Sequence, residues 1–202
     1  MKRFVMYILT ALLLASAVVS LSGCKDNDTE PKVPETKAPA TEAPATEAAT
    51  YDQTQAETYD PNRTRALDFT MLNMDGEEVN LFDYVGKPIV LNFWASWCPP
   101  CKAEMPDFEE AYKKYGDEVN FLMVNLTDGR GETVTGAKAH VESCGYTFPV
   151  FFDTKYEGAT IYRISSIPQT YFIDADGYLV TMATGMLNAE GLEQGIQMIL
   201  EK

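Results

Sequence analysis

Ile89-Val90-Leu91-Asn92-Phe93-Trp94-Ala95-Ser96-Trp97-Cys98-Pro99-Pro100-Cys101 is the stretch on which the fold turns. Residues 89–94 form a near-continuous apolar run, which predicts a central parallel strand covered on both faces. A helix follows from about Pro99 to Tyr115. Its apolar stripe is Cys101, Met105, Phe108, Tyr112 and Tyr115, at steps of four, three, four and three. Glu109 and Lys113 form an i,i+4 pair expected on another face. The two cysteines therefore sit where a buried strand turns into a helix.

That position gives them a chemistry. At a helix N-terminus Cys98 meets unpaired N–H groups and the positive end of the macrodipole, both of which favour thiolate. Cys101, one turn on, can resolve a mixed disulfide. Cys98 is thus the expected nucleophile and Cys101 the resolver. Neither Pro99 nor Pro100 has an N–H to offer the Cys98 sulfur, which leaves mainly that of Cys101. No histidine lies between the cysteines. The expectation is a reducing rather than a strongly oxidising couple. Two alternatives stand beside this reading. A zinc site would need further ligands, and the mature chain offers only His140, Cys144 or carboxylates. A purely structural disulfide would gain little from so short a loop.

Outward from the motif, Ala66–Met71 and Glu78–Leu81 are expected strands around a Met74-Asp75-Gly76 turn. Phe121–Leu126, Phe148–Phe152, Gln169–Asp174 and Tyr178–Ala183 are expected strands, the last two joined by an Asp174–Gly177 turn. Val134, Ala137, Val141 and Cys144 form a second helical stripe. Cys144 is therefore expected as a buried structural thiol, and His140 on a solvated helix face. A last helix opens near Asn188, a good cap, with Leu192, Ile196, Ile199 and Leu200 on one side. The alternation predicts an α/β sandwich around a mixed sheet.

The N-terminal part is of a different kind. Lys2 and Arg3 precede an apolar run from Phe4 to Val19, the layout of a secretory signal. A single uncleaved membrane anchor is the alternative. Leu21-Ser22-Gly23-Cys24 resembles a bacterial lipobox, which implies a signal peptide over 1–23 and lipidation at Cys24. Two or more acyl chains anchor a protein stably. Residues 25–62 are rich in Pro, Thr, Glu and Ala, with APATEAPATEAA nearly a tandem repeat. Such a segment buries too little apolar surface to fold. It is expected to act as a flexible tether with a reach of roughly 35 Å or more. The folded domain is expected over 63–202.

Asp68-Phe69-Thr70, Phe93–Cys101, Glu104-Met105-Pro106 and Ile167-Pro168-Gln169-Thr170-Tyr171-Phe172-Ile173-Asp174 together resemble the thioredoxin superfamily. The nearer likeness is to the TlpA/ResA-like branch of extracytoplasmic thiol–disulfide oxidoreductases, from about Ala66 to Leu200. It implies a thioredoxin-like sandwich with an N-terminal β-hairpin and a central insertion. It implies that Pro168 is a cis-proline beside the active pair, and that Trp97, Ile167 and Pro168 meet the substrate, with the Ile167 backbone pairing to it. Pro106 matches a helix-kinking proline. Glu104 matches an acidic residue that tunes the pair, and its spacing puts it on the same helical face as Cys101. Asn92 stands where thioredoxin has a buried aspartate, which shifts acid–base work onto Glu104. Gln169 replaces a small residue and is expected to bear on which substrates fit. The implied substrates are disulfides of exported proteins such as apocytochrome c. The implied electron donor is a membrane thiol shuttle of the CcdA/DsbD type. No cofactor or metal is implied, and the expected protein is a monomer.

The formal net charge of −14, from 30 acidic and 16 basic residues, repels nucleic acid. A disulfide-forming oxidase differs only in redox poise. A copper-delivery protein of related fold uses a wider cysteine spacing and a partner histidine. A peroxiredoxin needs threonine where Ala95 stands. An adhesion or scaffold module leaves the cysteine pair unexplained.

Overall fold

The computed structural model describes residues 60, 62–129 and 131–202. The signal peptide, Cys24 and nearly all of the tether expected at 24–62 lie outside these residues. Among the described residues the order is β1 (Thr70–Leu72), β2 (Glu78–Asn80), β3 (Ile89–Trp94), α1 (Pro99–Tyr115), β4 (Asn120–Asn125), α2 (Val134–Cys144), β5 (Val150–Phe152), α3 (Glu157–Ile161), β6 (Gln169–Ile173), β7 (Leu179–Thr184) and α4 (Ala189–Leu200). The strands form one mixed sheet in the order β2-β1-β5-β4-β3-β6-β7. β3, β4 and β5 run parallel, while β1–β2, β1–β5, β3–β6 and β6–β7 are antiparallel. β1 and β2 are the expected hairpin. α2 and β5, between β4 and α3, supply the central insertion.

Strand alternation divides the core into two layers. On one face Val90 and Trp94 of β3, Phe121 and Met123 of β4 and Phe172 of β6 pack against Met105 and Phe108 of α1 and Leu192, Ile196 and Ile199 of α4. On the other, Ile89, Leu91, Phe93, Leu122, Val124 and Ile173 pack against Phe69, Leu81 and Ala159. Asn92 lies between Val90 and Trp94 in the alternation. Its polar side chain therefore enters the layer that also holds α1, and it is wholly buried.

Several expectations are corrected. Residues 66–69 do not join the sheet as a strand. The Ala66 N–H goes to the Gly177 carbonyl, and the Leu67 N–H to the Tyr162 hydroxyl, so no neighbouring strand receives them. Leu81 opens a 3₁₀ turn, Leu81–Tyr84, capped by Asn80 and Asp83. The Glu109–Lys113 pair exists at 3.5 Å, yet Glu109 is buried. Its carboxylate accepts from the Thr147 N–H and hydroxyl, both at 2.7 Å, and from the Phe148 N–H. It thereby pins the entry to β5 onto α1. Cys144 is exposed, because it is the last residue of α2 and Gly145 (φ 71°) turns the chain away there. His140 is half-buried against Trp94, with ring centroids 6.1 Å apart. The short helix α3 has too few residues to show a periodicity in sequence.

Candidate active site

β3 delivers the chain to Ala95, and α1 starts four residues later. Cys98 is the N-cap of α1, in extended conformation (φ −86°, ψ 108°), with Pro99 and Pro100 in the first turn. Proline fits there because the first turn has no carbonyl for its missing N–H to meet. Cys98 and Cys101 are joined as a disulfide. The Cys98 sulfur accepts the Cys101 N–H at 3.2 Å, the one donor the two prolines leave in the loop. Cys98 is 2% exposed and Cys101 fully buried, whereas Trp97 is 59% exposed.

The Ile167–Pro168 peptide is cis. The Ile167 carbonyl oxygen lies 3.8 Å from the Cys98 sulfur. Trp97, Leu126, Tyr156 and Ile164 to Ile167 line an open groove of about 310 Å³. Trp97, Cys98, Ile167 and Pro168, chosen from distant parts of the sequence, thus meet in one place. Gln169 does not join them. The alternation of β6 turns it to the opposite face, where it is buried and its amide donates to the Tyr171 hydroxyl.

Glu104 is 1% exposed, on the side of α1 that faces the sheet. Its Oε1 accepts from the Asn92 amide at 2.9 Å, and its Oε2 from the Leu187 N–H at 2.9 Å. Burial pushes its carboxyl up to about 7, against the lowering pull of those two hydrogen bonds, with Asp107 adding to the rise. The Asn92 amide also donates to the Thr170 hydroxyl at 3.0 Å, and its Oδ1 is buried without a partner. An unmatched buried acceptor costs about 1–3 kcal/mol.

Glu132 also belongs to the site, though nothing in the sequence marks it. It lies 1% exposed behind the loop that carries Trp97. One carboxylate oxygen accepts from the Ser96 N–H at 3.0 Å and the Asn125 amide at 2.6 Å, and the other from the Ser96 hydroxyl at 2.8 Å. It braces the β3–α1 loop to the end of β4. Its only sequence signal was an isolated acid in a polar loop, which is indistinguishable from a solvated one.

A cysteine pair at a helix N-cap, beside a cis-proline and over a buried carboxyl, on this sheet, defines a thioredoxin-like thiol–disulfide oxidoreductase. The chain belongs to the AhpC/TSA family, which matches residues 63–182. It is similar to the thiol-disulfide oxidoreductase ResA of Geobacillus thermodenitrificans, 35% identical over 66% of this chain and 75% of that one. The thioredoxin-like protein YneN of Bacillus subtilis is 34% identical over 66% of this chain and 78% of its own. Among solved structures, StoA from Bacillus subtilis superposes with a TM-score of 0.57 at 30% identity, covering 64% of this chain and 96% of StoA. The pneumococcal exposed lipoprotein thioredoxin Etrx1 from Streptococcus pneumoniae does so with 0.58 at 33%, covering 65% and 98%.

Proposed function

We propose that this protein is a lipid-anchored, extracytoplasmic reductase of disulfides in exported proteins, with apocytochrome c among the candidate substrates. The observation that carries the direction of the reaction is the Cys98 sulfur with a single backbone donor, the Cys101 N–H. One donor favours a thiolate less than several would, and a less favoured thiolate means a more reducing pair. The reduced pair reacts by attack of the Cys98 thiolate on a substrate disulfide, which forms a Cys98–substrate disulfide and releases one substrate thiolate. The Cys101 thiol then gives its proton to Glu104. The resulting Cys101 thiolate attacks the Cys98 sulfur, closes the Cys98–Cys101 disulfide and releases the second substrate thiolate.

Trp97, Ile167 and Pro168 form the substrate face, with the groove beside them taking flanking apolar side chains. A membrane thiol shuttle of the CcdA/DsbD type returns two electrons to the pair. The lipobox-like sequence at Cys24 supports the anchor, as does the likeness to the pneumococcal exposed lipoprotein thioredoxin Etrx1. Redox titration of the chain against glutathione and dithiothreitol buffers tests the direction. The expected midpoint lies below about −220 mV, on the thioredoxin side of the range. A midpoint near about −120 mV, that of the strong periplasmic oxidant, would make the protein a disulfide-forming oxidase.

A further inference from the structure

The buried contacts of Glu104 suit a carboxylate. Its oxygens face two N–H donors, from Asn92 and Leu187. A carboxylic acid in the same place would set its O–H against the Asn92 N–H, donor against donor. If the proposed function holds and Glu104 takes the Cys101 proton, that conflict arises in every turnover. The structure contains the means to remove it. Asn92 donates to Glu104 at 2.9 Å and to the Thr170 hydroxyl at 3.0 Å, while its own Oδ1 has no partner. Rotating the amide by a half-turn exchanges its oxygen and nitrogen. The oxygen would then lie between Glu104 and Thr170, and both can donate to it: the acid through its new O–H, the threonine by turning its hydroxyl. Thr170 is an apt third member because a hydroxyl serves as acceptor in one arrangement and donor in the other. The unmatched Oδ1 of the first arrangement becomes the doubly matched acceptor of the second, and the NH₂ takes over the position that has no partner.

We propose that Asn92 is a positioning residue that reverses its amide as Glu104 changes protonation state, so that the buried carboxyl keeps this hydrogen bond both as carboxylate and as acid. The inference rests on the assignment of Glu104 as acceptor of the Cys101 proton. The groups facing Glu104 are few. They are Asn92 from β3, Thr170 beyond it from β6, and the Leu187 N–H from the connection to α4. On its own helix stand Cys101 and the carboxylate of Asp107, and no basic side chain contributes to its titration. Proton exchange at Glu104 is thus coupled to hydrogen bonding chiefly through one amide.

The test is NMR of the reduced, ¹⁵N/¹³C-labelled full chain between pH 5 and 9, following the Asn92 side-chain NH₂ pair and the Glu104 carboxyl carbon. The expected result is one shared midpoint for both. Below it both Asn92 protons shift and exchange faster, because their acceptors are gone. In Glu104→Gln the Asn92 signals stop responding to pH. An Asn92 pair that stays fixed while Glu104 titrates overturns the proposal, as does a Glu104 carboxyl that does not titrate in this range. Kinetics supply the second readout. Asn92→Leu is expected to slow release of the second substrate thiol about tenfold and leave the first release unchanged; equal slowing of both overturns the proposal. Loss of disulfide reduction by the parent protein, with the coupled titration intact, would instead remove the assigned function and leave the amide reversal standing.

Discussion

Glu104 is a buried carboxyl whose few polar neighbours are Asn92 and the Leu187 N–H, and its energetics follow from that. It titrates at about 7 in the fold against 4.5 when exposed, so the folded state holds the proton more tightly. The associated stability is full below about pH 4.5 and is lost as pH rises through about 7. At 1.36 kcal/mol per unit this amounts to at most about 3 kcal/mol. Glu104→Gln, which carries no charge, is expected to be more stable than the parent at pH 8 and to lose that advantage toward pH 5. Urea unfolding at the two pH values measures the gap, and a gap independent of pH would contradict the assignment. The same substitution is expected to slow resolution by Cys101 about 100-fold, the usual scale of one general base. Glu109 behaves oppositely. Burial works against its charge, but the hydrogen bonds from Thr147 and Phe148 and the charge of Lys113 outweigh it and hold the carboxyl below its usual range. Its contribution is present above the unfolded value and lost as pH falls through the folded one.

At the scale of elements, the site depends on how closely loops and helices are held. Glu132 ties the β3–α1 loop to β4 through two hydrogen bonds from Ser96 and one from Asn125. Glu132→Ala leaves the Ser96 N–H and the Asn125 amide without their acceptor, at an expected cost of about 2–4 kcal/mol. Chemical denaturation reads the stability. Disulfide reduction, assayed where the variant is fully folded, reads the effect of a loosened Trp97–Cys98 approach, expected as a slower first step. In the layer shared with α1, α4 lies close against β6 because residue 195 is glycine. A methyl group there would overlap the ring of Phe172. Gly195→Ala is expected to destabilise the domain by about 1–3 kcal/mol, through overpacking against the buried ring of Phe172. A thermal melt unchanged from the parent would show that α4 can shift outward.

For the whole molecule, the question is where the domain works. Among the described residues the first domain contacts are those of Asp60, whose N–H meets the Tyr178 hydroxyl at 2.6 Å, and of Arg63, which pairs with Asp174. The proposed lipid at Cys24 is tested by where the protein partitions. Cys24→Ser is expected to move the protein from the membrane fraction to the soluble one while disulfide reduction by the pure protein stays unchanged. Retention in the membrane fraction would favour an uncleaved apolar anchor at residues 4–19 instead.

The sequence alone determined the elements around the cysteines. The apolar run 89–94 became β3 and the stripe from 99 to 115 became α1, with the expected bounds. Both are long enough for their period to be unmistakable, and the Asn188 cap and the Gly177 turn are local chemistry that needs no tertiary context. The short pieces were less legible. α3 and the 3₁₀ turn are too brief to show a period, and residues 66–69 look like a strand but spend their backbone bonds on Gly177 and Tyr162. Tertiary structure decided the fate of the polar residues. Glu104 and Glu109 lie one turn and a half apart on α1, yet one carboxyl is raised by burial and the other held low by hydrogen bonds. Glu132 met Ser96, and Asn92 met Thr170, only once segments distant in the chain had come together, and Cys144 lost its expected burial because it closes α2 where Gly145 turns the chain away. A charge or a thiol takes its chemistry from what surrounds it in space, and that surrounding exists only once the strands and helices have packed.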